Sequence, residues 1–177
     1  VGGTWRDNNY PGCACDVQSH LSSFSFEQNP EWARMFAPQP EIKAYLERCA
    51  DKYELGPHLR FGAEVVQARY DEAAQLWRVQ TRAGRLFQAR ALVAGLGGLS
   101  TPAYPQLKGI EKFKGQSFHS AEWNHGYDLK GKRISVGAPR SGTEINARAI
   151  LKAAGLSYSD FSKVEYLPFG ESVELMK

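Results

Sequence analysis

Few residues in this chain have types and spacings that could do chemistry, and most of them suit binding better than reaction. Gly2-Gly3-Thr4-Trp5 begins with paired glycines, which let backbone N–H groups approach an anion closely. Asp16 is an acceptor-only carboxylate, able to orient a neighbouring cation or to serve as a turn or cap residue. Gly95-Leu96-Gly97-Gly98-Leu99-Ser100 gathers glycines behind an apolar run and permits close backbone approach to a ligand. Ser141, Gly142 and Thr143 stand where a helix would start, and such a loop either holds an anion or is an ordinary capped turn. Phe113, Gly115, His119 and Trp123 fall at F-x-G-x-x-x-H-x-x-x-W; the plain reading is a loop in which the aromatic residues pack and His119 bonds the backbone. Cys13, Cys15 and Cys49 lack zinc-ligand spacing, so no metal site is expected and they read as small buried residues in a reducing compartment.

The elements that must position these residues follow from periodicity. Residues 1–40 are rich in turn formers (Asn8, Asn9, Pro11, Gly12) and read as loop. Ile42, Tyr45, Leu46, Cys49 and Tyr53 share one face of a helix of about fifteen residues that ends at Tyr53, with Pro40 and Glu41 in its first turn and Gly56-Pro57 beyond it. Ala63–Tyr70, Leu76–Thr81 and Leu86–Ala89 read as an antiparallel meander, and Arg90–Gly95 as a buried-type strand. Ile134–Gly137 begins a strand–loop–helix unit, in which Ser141 and Glu144 have capping-box spacing and Ala147, Ile150, Leu151 and Ala154 form the apolar face. Gly155 stops that helix; Lys163–Leu167 reads as a strand and Phe169–Lys177 as the start of a further helix.

Composition narrows the class. Hydrophobic residues make up 42% of the 177 and charged residues 23%, which suits a globular α/β chain and not a disordered one. The net charge of +3 is scattered, so no basic run marks a nucleic-acid or membrane surface, and no apolar stretch has the length of a membrane span.

Several of these motifs together resemble the Baeyer–Villiger monooxygenases, a flavin-dependent family. The resemblance lies in Gly2-Gly3-Thr4-Trp5, Tyr10-Pro11-Gly12, Cys15-Asp16-Val17, Ser23-Phe24-Ser25-Phe26, Leu99-Ser100-Thr101-Pro102 with Pro105, and the 113–124 fingerprint. It implies that Gly3, Thr4 and Trp5 lie along FAD, that Asp16 organises the site near the flavin ring, and that the backbone of Val65 meets the adenine. It also implies that Phe113, Gly115, His119 and Trp123 form a linker coupled to NADPH binding. Ser22 stands where the family usually has Tyr, and Asn124 where it has Pro or Asp. The G-x-G-x-x-G turn that the resemblance implies for the FAD diphosphate is not among these 177 residues, and Pro139 and Arg140 break the corresponding NADPH turn.

From Gly137 onward the sequence instead resembles TAXI-type solute-binding proteins of TRAP transporters, through Gly137-Ala138-Pro139, Ser141-Gly142-Thr143-Glu144-Ile145-Asn146-Ala147-Arg148 and Val164-Glu165-Tyr166-Leu167. The two resemblances meet at residues 128–133. The expected architecture is α/β: an incomplete FAD/NAD(P)-binding, Rossmann-like domain with an antiparallel meander over residues 1–131, then a short βαβ-like tail over 132–177. The expected function is that of a segment of an FAD- and NADPH-dependent monooxygenase that oxygenates a ketone, inactive by itself. The alternatives are a solute-binding fragment that takes a small carboxylate at Ser141, Gly142 and Thr143, and a chimera without function. The expected partners are a small-molecule ketone, no nucleic acid and no membrane, with association through open sheet edges. The expected compartment is the cytoplasm, or the periplasm if the tail's resemblance governs.

Overall fold

The computed structural model describes residues 1–99, 101–104, 106, 110–168 and 170–172; Ser100, Pro105, Phe169 and residues 173–177, to which expectations attach above, lie outside them. The chain divides into two compact units, one formed by Val1–Glu47 with Leu99–Lys177 and the other by Arg48–Gly98. No described helix is long and apolar enough to cross a membrane.

In the first unit the turn-rich N-terminal stretch is not wholly irregular. Thr4–Asp7 closes one helical turn (α1), because Gly2 and Gly3 take positive φ (110° and 47°) and bring their carbonyls onto the N–H groups of Trp5 and Arg6, each at 2.9 Å. Residues 13–39 then form a closed loop. Cys15 N–H bonds Ala37 O and Gln39 N–H bonds Cys13 O, each at 2.9 Å, and Ala14 bridges Pro38. The Ser19 hydroxyl, buried at mid-loop, donates to Arg34 O (2.6 Å) and Met35 O (2.9 Å).

Helix α2 spans Gln39–Lys52, as its periodicity predicts. Ile42, Tyr45, Cys49 and Ala50 are buried, Leu46 is half-buried and Tyr53 is exposed. The Tyr45 hydroxyl accepts from Phe24 N–H (2.8 Å) and donates to Glu27 O (2.7 Å), which pins the loop to the helix. Cys13 and Cys49 are buried and all three cysteines are free. Burial pushes the Cys13 thiol above its ordinary value, away from the reactive thiolate.

The same unit holds a parallel pair, β4 (Arg133–Ser135) and β5 (Lys163–Glu165), joined through α3 (Gly142–Ala153). Val136, Leu151 and Phe161 form its small core. Gly155 (φ 73°) ends α3 in a Schellman motif: Leu156 N–H reaches Leu151 O at 2.8 Å and Gly155 N–H reaches Lys152 O at 3.1 Å. Gly170–Ser172 adds one helical turn, with Ser172 N–H on Pro168 O at 3.0 Å.

The second unit is the expected antiparallel meander: β1 (Val65–Asp71), β2 (Leu76–Thr81) and β3 (Leu86–Ala89), in that order. An irregularity between Val65 and Gln67 explains why regular pairing begins later than the alternating pattern. Val79 and Thr81 of β2 are buried, while all but the last residue of β1 is exposed.

The strand expected at Arg90–Gly95 does not form. Residues 91–97 have no regular structure, and Val93 is 91% exposed. A strand that is apolar on both faces is a strand only between neighbours, and no described segment pairs with it.

Replacing Tyr45 with Phe removes the hydroxyl bonds to the Phe24 N–H and the Glu27 carbonyl together. It should lower unfolding free energy by about 1–3 kcal/mol, read as a shifted urea midpoint at unchanged m-value.

Candidate functional site

The glycine turn at residues 2–5 is held from three sides within its unit. Gln39, which is buried, donates its side-chain amide to Trp5 O. Asn8 donates its own to Thr4 O (3.1 Å) and to Leu99 O (2.8 Å), tying the turn to the chain just beyond the second glycine cluster. His125 Nε2 lies 3.0 Å from Asn9 Oδ1, which brings the same loop to the end of the linker. A side chain at Gly3 would meet nothing within 4 Å, so the outer face of the turn is open to a ligand. Sequence reasoning missed Asn8 and His125; a side-chain amide at the end of a one-turn helix is a cap signal that gives no hint of a carbonyl 91 residues away.

Asp16 is exposed, in the bend after Cys15, and its carboxylate makes no hydrogen bond or ion pair among the described residues. Val65 lies in the other compact unit, at the start of β1 opposite Thr81, 54% exposed.

The linker is irregular chain around two 3-10 turns, Ile110–Lys112 and Ser120–Glu122. Its spacing has local physical causes. A Cβ on Gly115 would sit 2.4 Å from Phe113 Cζ, so the F-x-G step lets the ring fold over the backbone. His119 caps the second turn: Nδ1 accepts from Ala121 N–H at 3.1 Å, which leaves the proton of the neutral ring on Nε2. Trp123 packs edge-on against Phe118, with centroids 5.1 Å apart, and not against Phe113. Tyr104 adds an edge contact to His119 (5.4 Å) and a hydroxyl bond to the Glu122 carboxylate. The plain reading of the linker therefore describes its internal geometry. An open pocket of about 470 Å³ lies beside it, lined in part by Pro11, Phe118, Trp123, Tyr127 and Leu156.

The loop between β4 and α3 is closed by its own side chains. Ser141 Oγ accepts from Glu144 N–H at 3.2 Å. The Thr143 side chain covers Gly137, where an added Cβ would come within 2.8 Å of Thr143 Cβ. Two of the three residues expected to hold an anion are thus engaged in structure.

The capping box is half formed, because Glu144 does not reach back. Its buried carboxylate accepts from Arg148 Nη2 (2.7 Å) and from the Tyr158 hydroxyl (2.8 Å). The Arg148 bond, then the Tyr158 bond, hold Glu144 below the usual carboxylate range, while burial and then Glu144 push Tyr158 up to about 12.

The two shifts predict stability loss at both ends of the pH scale. The Glu144 contribution is complete above the unfolded carboxylate value of about 4.3 and is lost as pH falls through the lower folded value. The Tyr158 contribution is complete below about 10 and is lost as pH rises towards 12. Thermal melts from pH 3 to 12 should show both declines, with the alkaline one smaller in Tyr158→Phe and the remainder carried by Tyr10, Tyr104 and Cys13, which are raised as well.

A family model described as the NMT1-like family matches residues 107–177, less than half of the chain. A Baeyer–Villiger monooxygenase of Pseudomonas aeruginosa is 60% identical over 136 residues, which is 77% of this chain and 26% of that protein. Cyclohexanone monooxygenase from Rhodococcus sp. Phi1 bound to NADP+ superposes on 92% of the chain and 30% of its own, with a TM-score of 0.72 and 36% identity. The OTEMO complex with FAD and NADP superposes on 89% of the chain and 31% of its own, with a TM-score of 0.71 and 37% identity. The chain spans about a quarter of the length of the curated relative.

The solute-receptor expectation for residues 132–177 is not supported by these matches. A superposition over 92% of the chain takes in most of that tail, and a strand, a Ser-Gly-Thr loop and a capped helix are common to many βα units. The chain is an α/β segment that resembles part of the FAD/NADPH-binding region of cyclohexanone monooxygenase, homologous over 77% of its length to the Baeyer–Villiger monooxygenases.

Proposed function

We propose that this chain is the part of an FAD- and NADPH-dependent ketone monooxygenase that lines the flavin and carries the interdomain linker, and that it has no turnover by itself. The observation that carries the reading is 60% identity to a Baeyer–Villiger monooxygenase over 136 residues, in a chain that keeps the Gly2-Gly3-Thr4-Trp5 turn, Asp16 and the full 113–123 pattern. Gly3, Thr4 and Trp5 would lie along FAD, and the open face of Gly3 and the positive φ at Gly2 and Gly3 suit that close approach. Asp16, exposed and acceptor-only, would orient a donor or cation at the flavin ring, and the Val65 backbone would meet the adenine. Bound FAD would supply oxygen-transfer chemistry and NADPH the reducing equivalents. The role of this chain is to position the flavin and, through His119 and Trp123, to transmit the state of the linker.

The residues after β4 do not suit NADPH. The Thr143 side chain packs against Gly137, Pro139 lacks an N–H to donate to a phosphate, and Arg140 sits at φ 60°. The Ser141–Thr143 loop is therefore assigned no nucleotide. Three free cysteines agree with a reducing, cytoplasmic setting.

Two measurements test the reading. The isolated chain with added FAD should oxidise NADPH no faster than free FAD does. The cyclohexanone monooxygenase from Rhodococcus sp. Phi1, with its superposed segment replaced by this chain, should purify with flavin and oxygenate cyclohexanone. In that hybrid, Asp16→Ala should lower kcat on the order of 10²-fold at unchanged flavin content. A soluble, flavin-loaded hybrid without activity overturns the proposal.

A further inference from the structure

The linker histidine is held by two residues that lie outside its motif. Within the first unit, His119 is the extended N-cap (φ −81°, ψ 152°) of the 3-10 turn Ser120–Glu122, whose Glu122 N–H returns to His119 O at 2.9 Å. In an ordinary capping box the third residue of the turn sends its carboxylate back to the N-cap N–H. Glu122 is that third residue, and its carboxylate instead accepts the hydroxyl of Tyr104, 18 residues earlier in the chain. The Tyr104 ring lies edge-on to the imidazole, with centroids 5.4 Å apart. The bond to Glu122, then desolvation, push the Tyr104 phenol above its ordinary value, and the His119 backbone N–H, bonded to the phenol oxygen, opposes them. A hydroxyl accepts and donates at once, so Tyr104 stands between the two groups that a capping box would join directly.

The imidazole is thereby left with one unclaimed group. Nδ1 accepts from Ala121 N–H at 3.1 Å, so the neutral ring carries its proton on Nε2, and no described residue accepts from Nε2. We infer that Tyr104 and Glu122 are positioning residues for His119: the phenol relays the Glu122 charge to the His119 N–H, fixes the turn, and so presents Nε2–H as a single directed donor through which the linker answers to NADPH. The inference rests on the monooxygenase reading for the linker's role, and it adds two residues that F-x-G-x-x-x-H-x-x-x-W does not specify. The hydroxyl is the working part of Tyr104, because phenylalanine there would keep the edge contact and lose the relay. The carboxylate strengthens both bonds, since a phenol that donates to an anion becomes a better acceptor.

The test is a nitrogen NMR spectrum of the full chain with isotope-labelled histidines, His119 being assigned through His119→Gln and read with the ring neutral. The expected result is a single Nε2–H tautomer at His119, seen as widely separated Nδ1 and Nε2 resonances. In Tyr104→Phe the two resonances should converge as both tautomers become populated. The Ala121 and Glu122 amides should then exchange about tenfold faster, while the amides of α3 keep their protection. Glu122→Ala should reproduce the tautomer change, and Glu122→Gln, which keeps an acceptor oxygen, should retain most of the original pattern. The Tyr104→Phe, Glu122→Ala double variant should be no worse than either single one. In the Rhodococcus hybrid, Tyr104→Phe should raise KM for NADPH about tenfold with kcat within about twofold. A tautomer unmoved by Tyr104→Phe, or an unmoved KM in an active hybrid, overturns the inference. The tautomer readout needs neither flavin nor turnover, so an inactive hybrid counts against the monooxygenase reading and an unmoved tautomer against the relay.

Discussion

The buried amide of Gln39 is the constraint on which the arrangement of the first unit depends. Its backbone N–H closes the 13–39 loop on Cys13, and its side chain holds the carbonyl of Trp5. One residue thus fixes a loop of 27 residues at its mouth and the glycine turn beside it, at the point where α2 begins. A polar side chain so well buried is tolerated because it is satisfied, and its removal would orphan Trp5 O and leave the turn without an anchor. Everything proposed for Gly3, Thr4 and Trp5 presupposes that anchor.

What the sequence made legible is what depends on near neighbours. The face of α2, the three strands of the meander, the capped start of α3 and its glycine stop are all set by residues a few positions apart, and each stands where its pattern put it except β1, which starts two residues later. The strand at Arg90–Gly95 was illegible for the opposite reason. Its composition reports an environment with partners on every side, and composition persists where the partners are not paired with it. The Glu144 carboxylate shows the same limit at the scale of one side chain. Spacing suggested a bond back to Ser141, but Arg148 one turn on and Tyr158 across the loop offered a cation and a hydroxyl in place of a backbone amide.

The candidate site divides along the same line. The linker pattern was legible as motif, and its inner causes are local: a ring over a glycine, an imidazole capping a turn, an indole against a phenylalanine. The cross-chain clips from Asn8 and His125, which bring the turn, the exit segment and the linker together, carried no signal, because an amide or an imidazole contacts distant residues only once the fold exists. Asp16 is the opposite case, conspicuous in sequence and without a hydrogen bond or ion pair among the described residues.

The two ends of α3 are satisfied from within the βα unit itself: Ser141 caps the start, and Gly155 with Leu156 closes the finish. A helix that borrows no cap from its surroundings carries its boundaries with it. Such a piece can be exchanged between otherwise unrelated sheets at little energetic cost, provided the strand before it meets a parallel neighbour.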